Sequence, residues 1–143
     1  MNEDTVKLLK ECNSGCKMAM NSIDQIQQYV RDEKLQKLLS HYKDLHAELK
    51  EKSGTMLARA GEHDEKPTMM ASAFAWMTTE VKMAMERNHT QIAKIMMDGC
   101  NMGIQSIGEY RSKYGAASKE ASDLAGDLIH LEEDFSKSME KYL

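Results

Sequence analysis

"DTVKLLKECNSGCKMAMNSIDQIQQYV", Asp4 to Val30, decides the fold class. Its apolar and small residues fall at Leu9, Cys12, Cys16, Ala19, Ile23, Ile26 and Val30, in alternating steps of three and four. That spacing is the seam a long helix presents to its neighbours in a bundle. Asp32 follows as an N-cap for a second helix, with Glu33 suited to its positive first turn. This second helix is expected to run to about Ala60, with Leu35, Leu39, Tyr42, His46 or Leu45, Leu49 and Met56 facing inward. Gly61 then fits a left-handed helix terminator.

"GEHDEKP", Gly61 to Pro67, reads as a loop, and Pro67 suits the first position of another helix. From Pro67 to about Met85 the chain is apolar on more than one side and carries Phe74 and the sole tryptophan, Trp76. Asn88 or Thr90 can cap a third long helix over Gln91–Lys113, with Ile92, Met96, Cys100, Gly103, Ile107 and Tyr110 on one stripe. Gly115 breaks the chain. A fourth helix over Ser118–Tyr142 places Ala121, Leu124, Leu128, Leu131, Phe135 and Met139 inside. Each long helix spans about 35–43 Å at 1.5 Å per residue. Short turns make the first pair antiparallel, and likewise the last pair. The long link between them has the reach to return along the bundle as a crossover. The expected architecture is an all-α, ferritin-like up-down-down-up four-helix bundle, one domain over residues 1–143.

Composition supports this class. The chain has 143 residues, one proline and almost no β-branched or aromatic runs, while strong helix formers dominate. A net charge of −4 with mixed signs excludes a basic nucleic-acid surface. No apolar run reaches the length of a membrane span, and the first residues lack a signal-peptide layout. A cytoplasmic protein with reduced thiols is expected, and three cysteines do not close a disulfide framework. Cys12 and Cys16 are one helical turn apart, with Cβ atoms about 5–6 Å from each other, too far for a disulfide. The 13 methionines read first as adaptable core filling and second as soft-metal ligands.

"SHYKDLHAELKEK" (Ser40–Lys52), Gly61, the single Trp76, "DGC" (Asp98–Cys100) and "IGEY" (Ile107–Tyr110) occur in an order that resembles a bacterial ferritin-like four-helix-bundle family, a domain of unknown function. The resemblance spans nearly the whole chain and implies the fold more than an activity. The family pattern carries a glutamate after the glycine in the third helix, where this chain has Cys100, so a role resting on that carboxylate does not carry over.

A ferritin-like di-iron site takes a Glu from each of two helices and Glu-x-x-His from each of the other two. Glu86 to His89 is the sole Glu-x-x-His here and falls at a bundle end. Asp127 to His130 is a shortened version, and in the second helix Lys43 stands where His46 would need a carboxylate. A second arrangement follows from counting levels. Cys16 and His46 each lie 15 residues from the turn at residue 31, and Cys100 and His130 each lie 15 from the turn at 115. If both turns sit at comparable ends, one thiol or imidazole from each helix meets at mid-bundle, with Cys12 and Asp127 as neighbours. Two Cys and two His suit tetrahedral zinc, and thiolate-rich sites suit Cu(I). The competing reading is that the cysteines are small apolar residues of the seam. His41 and His63 read as solvated, as does the acidic string Glu132, Glu133, Asp134.

Phosphate loops, nucleophile elbows and exposed activated thiols are missing. The expectation is therefore a non-catalytic binding or structural module that self-associates, as a dimer through the apolar crossover. Binding or storage of zinc, copper or iron through Cys16, His46, Cys100 and His130 is the alternative, ahead of a di-iron oxidase.

Overall fold

The computed structural model describes residues 1–62 and 88–143. Four helices make up these residues: α1 (Glu3–Gln27), α2 (Glu33–Arg59), α3 (His89–Lys113) and α4 (Lys119–Met139). α4 tightens into a 3-10 turn over Glu140–Tyr142. No strand occurs among the described residues. The expected crossover, with Phe74 and Trp76, lies outside them, as do His63 and Glu86.

Each helix begins on a side-chain cap that accepts a hydrogen bond from an otherwise orphaned backbone N–H. Asn2 accepts from Thr5, Asp32 from Leu35, Asn88 from Thr90 and Ser118 from Ala121. α2 ends as expected at Gly61, whose φ is 75°. The Gly61 N–H donates to Ala58 and the Glu62 N–H to Leu57, which satisfies two terminal carbonyls of α2 in a Schellman arrangement.

Two ends differ from expectation. α1 stops at Gln27 rather than Val30, because side chains take over the backbone groups of the turn. Gln36 Nε2 donates to the carbonyls of Gln27 (2.9 Å) and Val30 (3.0 Å), and Gln27 Nε2 donates to Ser40 Oγ (2.9 Å). Val30 remains buried and closes that end of the core. The fourth helix yields to the 3-10 turn at Glu140.

The ends meet in a defined way. Asn2 Nδ2 donates to the Ala116 carbonyl (2.7 Å), the Ala116 N–H to Asp4 Oδ2 (3.0 Å) and the Ser118 N–H to Thr5 Oγ1 (2.8 Å). These bonds dock the start of α1 on the α3–α4 turn. At the start of α3, Thr90 Oγ1 donates to the Tyr142 carbonyl (3.2 Å), and Asp32 lies within electrostatic reach of both His89 and Tyr142. The α1–α2 turn and the α3–α4 turn therefore lie at opposite ends. The level count above assumed comparable ends, and the structure corrects it.

Two apolar clusters fill the interior. One gathers Ile23, Ile26, Leu35, Leu39, Tyr42, Ile92, Met96, Cys100, Phe135 and Met139 toward the α1–α2 turn. The other gathers Leu8, Leu9, Cys12, Cys16, Leu57, Ile107, Leu124 and Leu128 toward the α3–α4 turn. Gly15 of α1 lies against the second cluster, where an added Cβ would make ordinary contacts with Ile107 (3.5 Å) and Leu128 (3.7 Å). The buried polar groups described next belong to neither cluster.

Candidate functional site

His46 continues the inward series Leu35, Leu39, Tyr42 on α2 and is 0 % exposed, while Leu45 is only half-buried beside it. Its ring is fixed from several sides. Nδ1 lies 2.7 Å from the Tyr42 carbonyl one turn back, and a carbonyl only accepts, so Nδ1 carries a proton. Phe135 meets the ring edge-on with centroids 6.1 Å apart. Tyr42 stacks on the other part of Phe135 at 4.4 Å, and its hydroxyl donates to Asp134 Oδ2 (2.7 Å).

The other nitrogen, Nε2, faces Glu132 Oε1 on α4 in a direct hydrogen-bonded pair. Glu132 is 6 % exposed. Burial alone pushes the imidazole toward its neutral form. The hydrogen bond and negative charge of Glu132, helped by the Tyr42 carbonyl, outweigh that, and the His46 pKa is raised. The glutamate lies over Gly103 of α3, where an added Cβ would come within 3.4 Å of the carboxylate.

Two thiols flank the pair. Cys100 hydrogen-bonds to Glu132, and Cys16 lies within electrostatic reach of the same carboxylate. Burial, with the nearby negative charge, pushes both thiols far up, and burial lifts Cys12 to about 12. All three cysteines are free and buried. They are thiols rather than thiolates near neutral pH, and so are poor nucleophiles. A separate polar contact ties α1 to α2: Asn13 Nδ2 donates to Ser53 Oγ (3.0 Å) and to the Lys50 carbonyl (3.1 Å). Asn13 Oδ1 is buried with no hydrogen-bond partner among the described residues.

Of the expected set, His46 pairs with Glu132, Cys16 and Cys100 are buried within electrostatic reach of that carboxylate, and His130 takes no part. The His130 side chain is 79 % exposed, with Nδ1 3.7 Å from Glu133 Oε2. Asp127 is exposed too. The correction has a geometric cause. Two residues along a helix turn the side chain by about 200°, so His130 points away when Glu132 points in. Glu132 overturns a second expectation, since the acidic string was read as solvated; only Glu133 and Asp134 are exposed. Leu131 was expected to fill the step from Leu128 to Phe135; the structure leaves Leu131 half-buried and puts Glu132, one turn after Leu128, inside instead.

Among the described residues, no group of three or more His, Cys, Asp and Glu side chains stands ready to hold a metal ion. No helix among them is long and apolar enough to cross a membrane. Two shallow depressions of 320 and 520 Å³ run along α2, and neither is lined by His46, Glu132 or a cysteine. Comparison of the chain with models of protein families, with curated proteins and with solved structures finds no match.

Proposed function

We propose that the chain is a non-catalytic helical module that self-associates, built on a ferritin-like up-down-down-up connectivity with residues 67–85 as the crossover. One observation carries the non-catalytic part. The groups that chemistry would use are turned inward and engaged with each other: His46 has both nitrogens bonded, Cys100 bonds to Glu132, and burial keeps the thiols protonated. The connectivity is supported by the docking of the α1 start on the α3–α4 turn. Self-association is supported by the sequence of residues 67–85, rich in apolar side chains including Phe74 and Trp76. Among the described residues, the exposed large apolar side chains are only Met1, Met102 and Leu143, so those helices offer little sticky surface of their own. Size-exclusion chromatography with light scattering tests the proposal. A dimer mass that persists on dilution is expected, and changing Trp76 and Phe74 to serine should shift it to monomer. A monomer at every concentration overturns it.

Metal binding is the second reading. It is favoured by Glu132, which reaches both His46 and Cys100 and supplies a carboxylate where His130 was expected. A buried His whose far nitrogen donates to a backbone carbonyl has the orientation common in metal ligands. Cys16, His46, Cys100 and Glu132 would have to close in on the ion. Elemental analysis of tag-free protein, and titration with zinc or Cu(I) under reducing conditions, decides it. No bound metal and no uptake dismisses this reading.

A further inference from the structure

α1 is covered on every side through its middle. No residue from 10 to 23 is exposed, a run of about four turns. A helix on the outside of a bundle shows a residue to water about once per turn, because 3.6 residues carry the chain round all its sides. α2 and α4 behave that way: neither keeps more than three consecutive residues from solvent. α4 is the telling comparison. It packs on α1, α2 and α3, just as α1 packs on α2, α3 and α4, while α2 and α3 do not pack on each other. The two helices hold matching places, yet α4 exposes Asp123, Asp127, His130 and Lys137 along its outer side. The outer side of α1, opposite Cys12, Cys16 and Ile23, carries Lys10, Ser14, Lys17, Met18 and Asn21, all half-buried.

We propose that residues 63–87 lie along this outer side of α1 and run in the same direction as α1, which makes α1 the central helix of the molecule. This placement rests on the crossover connectivity proposed above and assigns the face that the crossover takes. Residues 63–87 are the one stretch outside the described residues, and no described element packs on α1 besides the three other long helices. The stretch leaves α2 at the end where α3 turns into α4, and enters α3 at the end where α1 turns into α2. It therefore travels the length of the bundle. Both α1 and α4 lie between α2 and α3, and α1 is the one whose outer side is covered.

The last residue before the stretch is already turned that way. Glu62 Oε2 pairs with Lys10 Nζ at 3.2 Å, and Lys10 begins the half-buried outer stripe. Charge agrees with the same path. Lys7, Lys10 and Lys17 line the first half of the outer side, and Glu62, Asp64 and Glu65 open the stretch. Beyond them, residues 67–79 hold no charged side chain, which suits contact with Ser14, Met18 and Asn21 and with the buried stem of Lys17. A stretch apolar on more than one side has a side for α1 and another for a second copy.

Carbodiimide crosslinking of the full chain tests this, on isotope-labelled and unlabelled protein unfolded and refolded together. Zero-length bonds should join Lys10 or Lys17 to Asp64 or Glu65, with both peptides of each pair carrying the same isotope. Pairs of mixed isotope would mean that a second copy supplies the cover, and links from Asp64 and Glu65 to α4 alone would put the stretch on the opposite face. Either result overturns the proposal, as does the absence of any link to α1. Bulk on the covered side is the second measurement. Ser14→Trp and Asn21→Trp should each lower the Tm by about 3 °C or more, because the added volume has no room under the cover. Asp127→Trp, on the open side of α4, should leave it within about 1 °C. Equal Tm values for the three variants would overturn the placement. Self-association is read separately: a monomer that carries the links keeps this docking, and a dimer that lacks them loses it.

Discussion

Glu132 and His130 stand two residues apart on one helix, and the solvent treats them oppositely. Glu132 is 6 % exposed and bonded to His46, while the His130 side chain is 79 % exposed. Removing one member of a buried pair leaves its partner charged and unmatched, which costs about 3–5 kcal/mol. That is a large share of the roughly 5–15 kcal/mol by which domains are stable. Glu132→Leu and His46→Leu should each lower the urea midpoint by an amount of that size. The double replacement should recover most of the loss, from near neutral to a gain of about 1–4 kcal/mol. His130→Ala should stay within about 0.5 kcal/mol of the parent. Chemical denaturation of the four variants measures all of this. Single losses below about 1 kcal/mol would mean that the pair is open to water.

Glycines give the helices their sharpest test as elements. Gly61 has φ of 75° and closes the Schellman turn, so Gly61→Ala should cost about 1 kcal/mol even though a Cβ there meets nothing within 4 Å. Gly99 and Gly108 lie within α3 and also have open space where a Cβ would go. Alanine at either position should raise stability by about 0.5–1 kcal/mol through helix propensity alone. Thermal melts of the three variants should thus move in opposite directions for the same chemical change. Features of this local kind were legible in the sequence: the cap at Asp32, Asn88 as one of two candidate caps, the stop at Gly61, and most of the inward series of the helices, though Leu49, Gly103, Tyr110 and Leu131 are only half-buried. The end of α1 was not, because Gln36 and Ser40 of the next helix take hydrogen bonds that settle where the turn begins. The candidate site was half legible. Cys16, His46 and Cys100 follow the seam, but counting residues from the turns measures height and ignores rotation about the helix axis. Rotation is what set Glu132 inside and His130 outside.

For the molecule as a whole, the three cysteines report whether the two half-cores open together or apart. Cys12 and Cys16 belong to the cluster near the α3–α4 turn and Cys100 to the other, and all three are free and buried. A thiol reagent reaches them only through opening, so labelling rates in native buffer measure the free energy of whatever opening exposes each one. In denaturant all three should react at once. In native buffer near pH 6.5 each should be protected by at least about 10³-fold, since global opening of a domain costs roughly 5 kcal/mol or more. The informative quantity is the ratio between sites. If His46 and Glu132 hold the two halves together, His46→Leu should speed labelling of Cys16 and Cys100, which adjoin the pair, more than that of Cys12. In the His46→Leu, Glu132→Leu variant that ratio should return toward the wild-type value. Mass spectrometry of time-quenched samples resolves the three sites. Equal acceleration at all three in His46→Leu would show that the bundle opens as one unit, with no separate release at its middle.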